Sequence, residues 1–364
     1  MGDYALVCVR RRYVSNPMLQ SSQEGSLSAG QAHGLLYAAL DLGTNNCRLL
    51  VANAQAGQNG GPPVLRICDS FSRIVRLGEG VSATGNLSAD AMERTLQALK
   101  ACQKKLSRYN LAGSYFVATE ACRRAANGRE FLDKVEAETG LHIDIISSED
   151  EARLAFMGCS SLLEGDAKRA VVFDIGGGST ELMWIDKFAN ADTSGQPPHN
   201  ILDWLSIGFG VMNLADKFGG SGFSELTFND MVDFLVDKLK PFDQVNSISQ
   251  TLNGQAVQLL STSGTVTTLA AIHLELPRYD RSRIDGITLS VQDIRNTTKR
   301  LLDMRPSERF HHPCIGPDRA DFIISGCAIF QAISNLWPVE SITIADRGVR
   351  EGIILSLLKK ESAR

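Results

Sequence analysis

Asp41 and Asp174 each end an apolar run and open a bend of small residues, in Leu40-Asp41-Leu42-Gly43-Thr44-Asn45-Asn46 and in Phe173-Asp174-Ile175-Gly176-Gly177-Gly178-Ser179. Small side chains let successive backbone N–H groups converge on an anion, and a phosphate fits such a nest. The carboxylates at the base of the bends are hard oxygen ligands, suited to a Mg²⁺ that keeps most of its waters. Taken singly, each segment is equally well a plain hairpin whose Asp stabilises its own turn. Taken as a pair, they favour one phosphorylated ligand and its metal held between two bends that face each other across a cleft. Neither segment is a G-x-x-x-x-G-K-[ST] loop or a G-x-G-x-x-G fingerprint, because the glycines lead into a strand and not into a helix. Dehydrogenase and P-loop chemistry are therefore disfavoured.

A third polar group lies at Ser147-Ser148-Glu149-Asp150-Glu151-Ala152-Arg153, which starts a helix after a strand over residues 143–146. Ser148 as N-cap with Glu151 three residues on would form a capping box, and acids suit the positive end of a helix dipole. One of these acids could equally be a general base at the cleft, and residue types alone leave both roles open. Arg48, Arg123 and Arg124 fall near the bends and could pair with phosphate oxygens. For any single arginine, a solvated side chain is the commoner outcome. His311-His312-Pro313-Cys314 lacks a second cluster at ligand spacing and is expected to be a loop, not a transition-metal site. Cys47 is expected to be a buried spacer in the first bend.

The elements that must position these residues come as a repeat. Each bend is predicted to join two strands. A polar stretch with a proline pair follows, at Pro62-Pro63 and Pro197-Pro198, and then a third strand ending in a glycine motif, Leu77-Gly78-Glu79-Gly80-Val81 or Ile207-Gly208-Phe209-Gly210-Val211. Apolar residues at i, i+3, i+4 spacing predict amphipathic helices over 89–108 and 225–239. A further strand and helix close each copy, with strands at 115–119 and 257–262. The unit is βββαβα, and two such units predict an α/β fold of two like domains facing across a cleft. The expected division is an extension over residues 1–35 with little order, domains over 36–155 and 156–345, and a C-terminal helix within 346–364 that returns to the first domain.

Composition agrees with this size. The chain has 364 residues, 37 basic against 41 acidic side chains and a formal charge of −4, with 43% apolar and 21% charged residues. That is an ordinary globular balance, long enough for about two domains. Disorder as the main state is excluded. No apolar stretch approaches the roughly 18 residues of a spanning helix, and the N-terminal MGDYALVCVRRR reverses the charge order of a secretory signal. A cytoplasmic protein is therefore expected, without membrane or nucleic-acid partners. The eight scattered cysteines form no C-x-x-C pair and are expected to be reduced.

Several segments together resemble the exopolyphosphatase/guanosine pentaphosphate phosphatase family of the actin-like (ribonuclease H-like) superfamily. They are LDLGTNNCRLLVA, VATEACRRAANG, IISSEDEARLAFMG, VVFDIGGGSTELMWI, STSGTVTTLAAI, IGPDRADFIISG and DRGVREGIIL, spread over residues 40–355. The two glycine bends belong to the superfamily at large, whereas EDEARLAFMG with DRGVREG points to the phosphatase branch. The chain resembles the short, two-domain form. The resemblance implies duplicated actin-like domains, each a mixed sheet with flanking helices. It implies that Glu151 activates the attacking water, and that Asp174 and Glu181, with Asp41, are the metal-associated acids. It also implies that Gly176, Gly177, Gly178 and Ser179 cradle phosphate with Thr44, Asn45 and Asn46, assisted by Arg48 and Arg123. The activity implied is Mg²⁺-dependent release of terminal orthophosphate from inorganic polyphosphate, with guanosine pentaphosphate as a second substrate and a homodimer as the assembly. A sugar or acetate kinase of the same superfamily, or a non-enzymatic actin-like nucleotide-binding protein, are the competing expectations.

Overall fold

The run from Tyr37 to Leu40 forms the middle of a sheet because every one of its side chains is buried, on both faces of the strand. The structure, a computed structural model, describes residues 35–55, 63–188, 199–219 and 224–362. The extension expected at the N-terminus, as far as residue 34, and Pro62, Pro197 and Pro198 of the proline pairs lie outside the described residues.

Strand β1 (Leu35–Leu42) pairs antiparallel with β2 (Asn46–Gln55), and β2 with β3 (Val64–Ile74). On its other side β1 runs parallel to β4 (Gly113–Ala118), and β4 to β5 (Asp144–Ile145). The second half repeats the arrangement. There β6 (Arg169–Ile175), β7 (Thr180–Asp186) and β8 (Asn200–Ile207) are antiparallel, and β9 (Val257–Ser261) runs parallel to β6. Strand β10 (Thr288–Ser290) then precedes β11 (Ser341–Ile344), which runs parallel to β9. The sheets read β3-β2-β1-β4-β5 and β8-β7-β6-β9-β11, with β10 added antiparallel at the edge. Two mixed sheets with one strand order and flanking helices make up the duplicated actin-like fold.

In the first half, α1 (Val81–Thr84) and α2 (Ala89–Leu106) follow β3, α3 (Glu120–Arg124) and α4 (Gly128–Thr139) follow β4, and α5 (Ser148–Cys159) follows β5. In the second half, α6 (Val211–Lys217), α7 (Glu225–Asn246) and α8 (Ile248–Leu252) follow β8, and α9 (Gly264–His273) and α10 (Arg281–Ile284) follow β9. Between β10 and β11 come α11 (Val291–Asp303), α12 (Pro306–His311), α13 (Pro317–Ala320) and α14 (Ile323–Leu336), and α15 (Val349–Ser362) follows β11. Among the described residues no helix is long and apolar enough to cross a membrane.

Two elements differ from expectation. Each glycine motif leads first into a short helix, α1 or α6, before the long amphipathic one. Helix α7 also runs past residue 239 and through Pro241. A proline there removes one helical hydrogen bond. Phe242 is buried in the core just beyond it, and Asp243 Oδ1 accepts from Ser249 N at 2.8 Å, Ser249 Oγ at 2.9 Å and Trp337 Nε1 at 2.8 Å. These contacts hold the last turn in helical form.

Helix α15 packs on the first sheet, where Ile353, Ile354 and Leu357 meet Tyr37, Ala39 and Leu50. Burying each such aliphatic side chain contributes about 1.5–3 kcal/mol. Its other side crosses α5 backbone against backbone. A Cβ on Gly352 would lie 1.9 Å from Leu154 O, and one on Gly158 would lie 2.0 Å from Gly348 O. Gly352→Ala is therefore expected to lower the unfolding free energy by about 2–3 kcal/mol through overpacking. Gly254→Ala, where a Cβ meets nothing within 4 Å, is expected to stay within about 0.5 kcal/mol of the unchanged protein. Urea midpoints of the two variants check this.

Candidate active site

The two bends are built alike. In the first, Gly43 N donates to Asn46 O at 2.8 Å, and the chain after β3 clamps the turn from behind. Asn45 O accepts from Val75 N at 2.9 Å and Arg76 N at 3.1 Å, and Thr44 O accepts from Gly78 N at 2.9 Å. In the second, Gly176 N donates to Ser179 O at 2.9 Å, while Gly176 O and Gly177 O accept from Val211 N and Met212 N. Asn213 Nδ2 adds a 2.7 Å bond to Gly178 O. The glycine motifs of the repeat thus serve as backing for the bends, and a Cβ on Gly210 would collide with Gly176 O at 2.5 Å.

The bends also touch each other. A Cβ on Gly177 would stand 3.1 Å from Asn45 Cβ and Thr44 Cβ, and one on Gly178 would stand 2.9 Å from Thr44 Oγ1. Beside this contact lies a cavity of about 120 Å³ that both halves line. That volume is room for a phosphate with water around it. The first half contributes Asp41, Thr44, Asn45, Asn46, Arg48 and Glu151, and the second contributes Asp174, Gly176, Gly177, Gly178 and Ser179. Of the residues expected at the site, Glu181 and Arg123 stand just outside this lining.

The ladder register explains the charges. Asp41 pairs with Arg48 across β1 and β2, and Asp174 pairs with Glu181 across β6 and β7. Arg48 and Glu181 therefore occupy the same place in the two copies, with opposite charge. Burial pushes both Asp41 and Asp174 above the ordinary carboxylate value, and Arg48 opposes the rise at each. Glu181, buried and accepting from Ser206 Oγ at 2.9 Å, is pushed up to about 7, chiefly by burial.

The three acids at the start of α5 separate completely. The N-cap is Ser147, one residue earlier than expected: its Oγ accepts from Asp150 N at 3.0 Å and donates to Asp150 Oδ2 at 2.8 Å. Ser147-x-x-Asp150 fits the cap pattern as well as Ser148-x-x-Glu151 does, and the strand leading in decides the register. Glu149 pairs with Arg153 at 2.8 Å on the exposed side. Glu151 is left over from capping and lines the cavity. Burial, then the neighbouring Glu181, pushes it well above its usual value, and Arg123 works against the shift.

Arg123 is held on three sides, donating to Ile146 O at 2.8 Å, Glu120 Oε2 at 2.7 Å and Glu151 Oε2 at 3.3 Å. Arg124 lies 3.8 Å from Glu120 on the more exposed side. Glu120, Thr265, Arg319 and Phe322 also line the cavity and were not singled out in the sequence. One signal was available for Glu120: it opens the helix after the fourth strand, the place Gly264 takes in the second copy. Cys47 is fully buried in β2. His311 ends α12 and engages Ser307 O, so the histidine pair is half helix, half loop.

The donors fit a hard cation shared with a ligand. Asn45 Oδ1 is buried without a hydrogen-bond partner, the kind of atom that a bound group satisfies. Among the described residues no three His, Cys, Asp or Glu side chains form a ready metal cage. Such a set suits Mg²⁺, which keeps waters and uses one or two carboxylates with substrate phosphates. Asp41 and Asp174 are the residues that would hold it.

A model of the Ppx/GppA phosphatase family matches residues 50–361. The chain belongs to the Ppx/GppA phosphatase family. The structure of the Aquifex aeolicus Ppx/GppA member is similar, with TM-score 0.71 and 28% identity over 90% of this chain and 98% of that one. An exopolyphosphatase from Cytophaga hutchinsonii shares the fold at TM-score 0.76 and 22% identity, covering 89% of this chain and 98% of that one. A bifunctional 3-dehydroquinate synthase/phosphatase of Fusobacterium nucleatum is 29% identical over 89% of this chain and 46% of its own length. The chain thus spans about half of that relative.

Removing the cap and removing the cavity acid have separable effects in this member of the Ppx/GppA family. Ser147→Ala is expected to lower the unfolding free energy by about 1 kcal/mol. Glu151→Gln, which breaks no cap bond, is expected to lower it by clearly less, as read from urea midpoints.

Proposed function

We propose that the chain is a Mg²⁺-dependent phosphoanhydride hydrolase that releases terminal orthophosphate from inorganic polyphosphate, with guanosine pentaphosphate as a second substrate. The observation that carries this reading is the meeting of Asp41, Asp174 and Glu151 in one cavity beneath two touching anion-binding bends. Family membership supports phosphate release, and the polymer is the substrate that the resemblance of the sequence segments implies.

The backbone N–H groups of Gly177, Gly178 and Ser179, with those of Thr44, Asn45 and Asn46, hold the terminal phosphoryl oxygens, while the Gly176 N–H closes the bend on Ser179 O. Arg48, placed against Asp41 and acting on Asp174, offsets negative charge gathered there. When bound at Asp41 and Asp174, Mg²⁺ supplies further neutralisation of phosphoryl charge. Glu151 accepts the proton of the attacking water at its carboxylate. Its raised proton affinity makes it a better base than an exposed glutamate. Arg123 positions the carboxylate through the 3.3 Å contact and opposes the rise in its proton affinity. Release of phosphate with no acceptor present argues for this reading over a kinase of the same fold, in which a hydroxyl or carboxylate must take the phosphoryl group.

Glu151→Gln is expected to lower the rate of orthophosphate release about 10²–10⁴-fold with the melting temperature nearly unchanged. Because the base works only when deprotonated and its pKa is raised, the acid limb of kcat/KM is expected above the range near 4.3 of an ordinary glutamate. Orthophosphate release from polyphosphate of defined lengths, followed against pH with and without Mg²⁺, checks both outcomes. Retained turnover in Glu151→Gln would remove it from the role of base.

A further inference from the structure

Arg76 stands apart from the residues used so far. It belongs to the first half, directly after β3, and its φ of 48° is in the left-handed region that a non-glycine residue seldom adopts. The cause is local to the site. Val75 N and Arg76 N both donate to Asn45 O, the carbonyl at the tip of the first bend, and two adjacent donors reach one acceptor only if the chain turns sharply there. The bend that would hold phosphate thus fixes the direction in which Arg76 leaves the backbone.

That direction is across the cleft. The guanidinium lies 5.4 Å over the ring of Phe322, a residue that lines the cavity from the second half, and its Nη2 is 3.7 Å from Asp321 Oδ2. The ion pair is loose and open to solvent, with the side chains 33% and 50% exposed. A pair of this kind has little net worth and exchanges partners readily. An arginine next to the cavity, resting on the Phe322 ring and paired loosely with one exposed carboxylate, is poised to trade that carboxylate for a phosphate, which it can grip with two parallel hydrogen bonds.

We propose that Arg76 is a specificity-determining residue that leaves Asp321 to bind a phosphate of the substrate beyond the one being released, so that Asp321 competes with the polymer for the guanidinium. The inference rests on the proposed polyphosphate reading and deepens it. It makes a signed prediction that a purely structural brace does not. Removing the competitor by Asp321→Asn lowers KM for long-chain polyphosphate several-fold, leaves kcat as it is, and has a smaller effect with tripolyphosphate. Arg76→Ala raises KM for the long chain about tenfold, the loss of one charge-assisted contact, and changes KM more than kcat. Arg76→Lys, with a point charge and no fork, falls between.

The experiment is steady-state orthophosphate release by the full chain and these three variants, on tripolyphosphate and on long-chain polyphosphate, with melting temperatures measured alongside. An unchanged or raised KM in Asp321→Asn, with its melting temperature preserved, would overturn the role of Arg76 and leave the proposed function standing. Absence of release by the unchanged protein from either substrate would overturn the proposed function, and this inference with it.

Discussion

The structure depends on the approach of two backbone bends to van der Waals distance. Glycine at positions 177 and 178 lets the second bend reach Thr44 and Asn45 with no side chain between. Asp41 and Asp174 line the cavity beside this contact, each half-buried, and two carboxylates drawn partly out of water are costly unless a cation or proton is shared. Arg48 answers part of that cost. The remainder is an attraction for positive charge at the point where an anion also fits. Site and strain are one arrangement: what makes the cleft expensive when empty is what makes it useful when filled.

Much of this was legible in the chain because the local chemistry is repeated. The bends, the glycine motifs behind them and the succession of three strands, helix, strand and helix all follow from residues that recur in one sequence, and a turn that needs small residues advertises itself. The actin-like fold and the family follow from the same segments. What was illegible belongs to tertiary contact. Ser147 and Ser148 both have an acid three residues on, so the true cap could not be chosen without knowing how β5 delivers the chain. Glu120 and Arg319 sit on short helices whose faces are chosen by packing, and Phe322 lies in the turn that leads into α14. Helix α7 looked finished before Pro241 because one group that holds its last turn, the Trp337 indole bound to Asp243, is far away in sequence.

The same contrast holds for the arginines. Arg48 takes its place from strand alternation, which sequence conveys. Arg123 is close to the bends in sequence and meets Glu120 at ordinary i, i+3 helical spacing, yet it is also engaged by Glu151 and the carbonyl of Ile146, two groups that no spacing rule would have gathered. Its contact with Glu151 counters the rise that burial and the neighbouring acids impose on that carboxyl.

The register that sets Arg48 opposite Asp41, and Glu181 opposite Asp174, carries one more consequence. Duplication of a hairpin yields a pseudo-twofold pair, and with like residues at both places the gap between them would have no sense of direction. One basic and one acidic residue at the equivalent rung break that evenness. Arg48 lines the cavity while Glu181 stands just outside it, so at this rung positive charge reaches the gap from the first half alone. A single position of the duplicated ladder thus makes its two sides unequal.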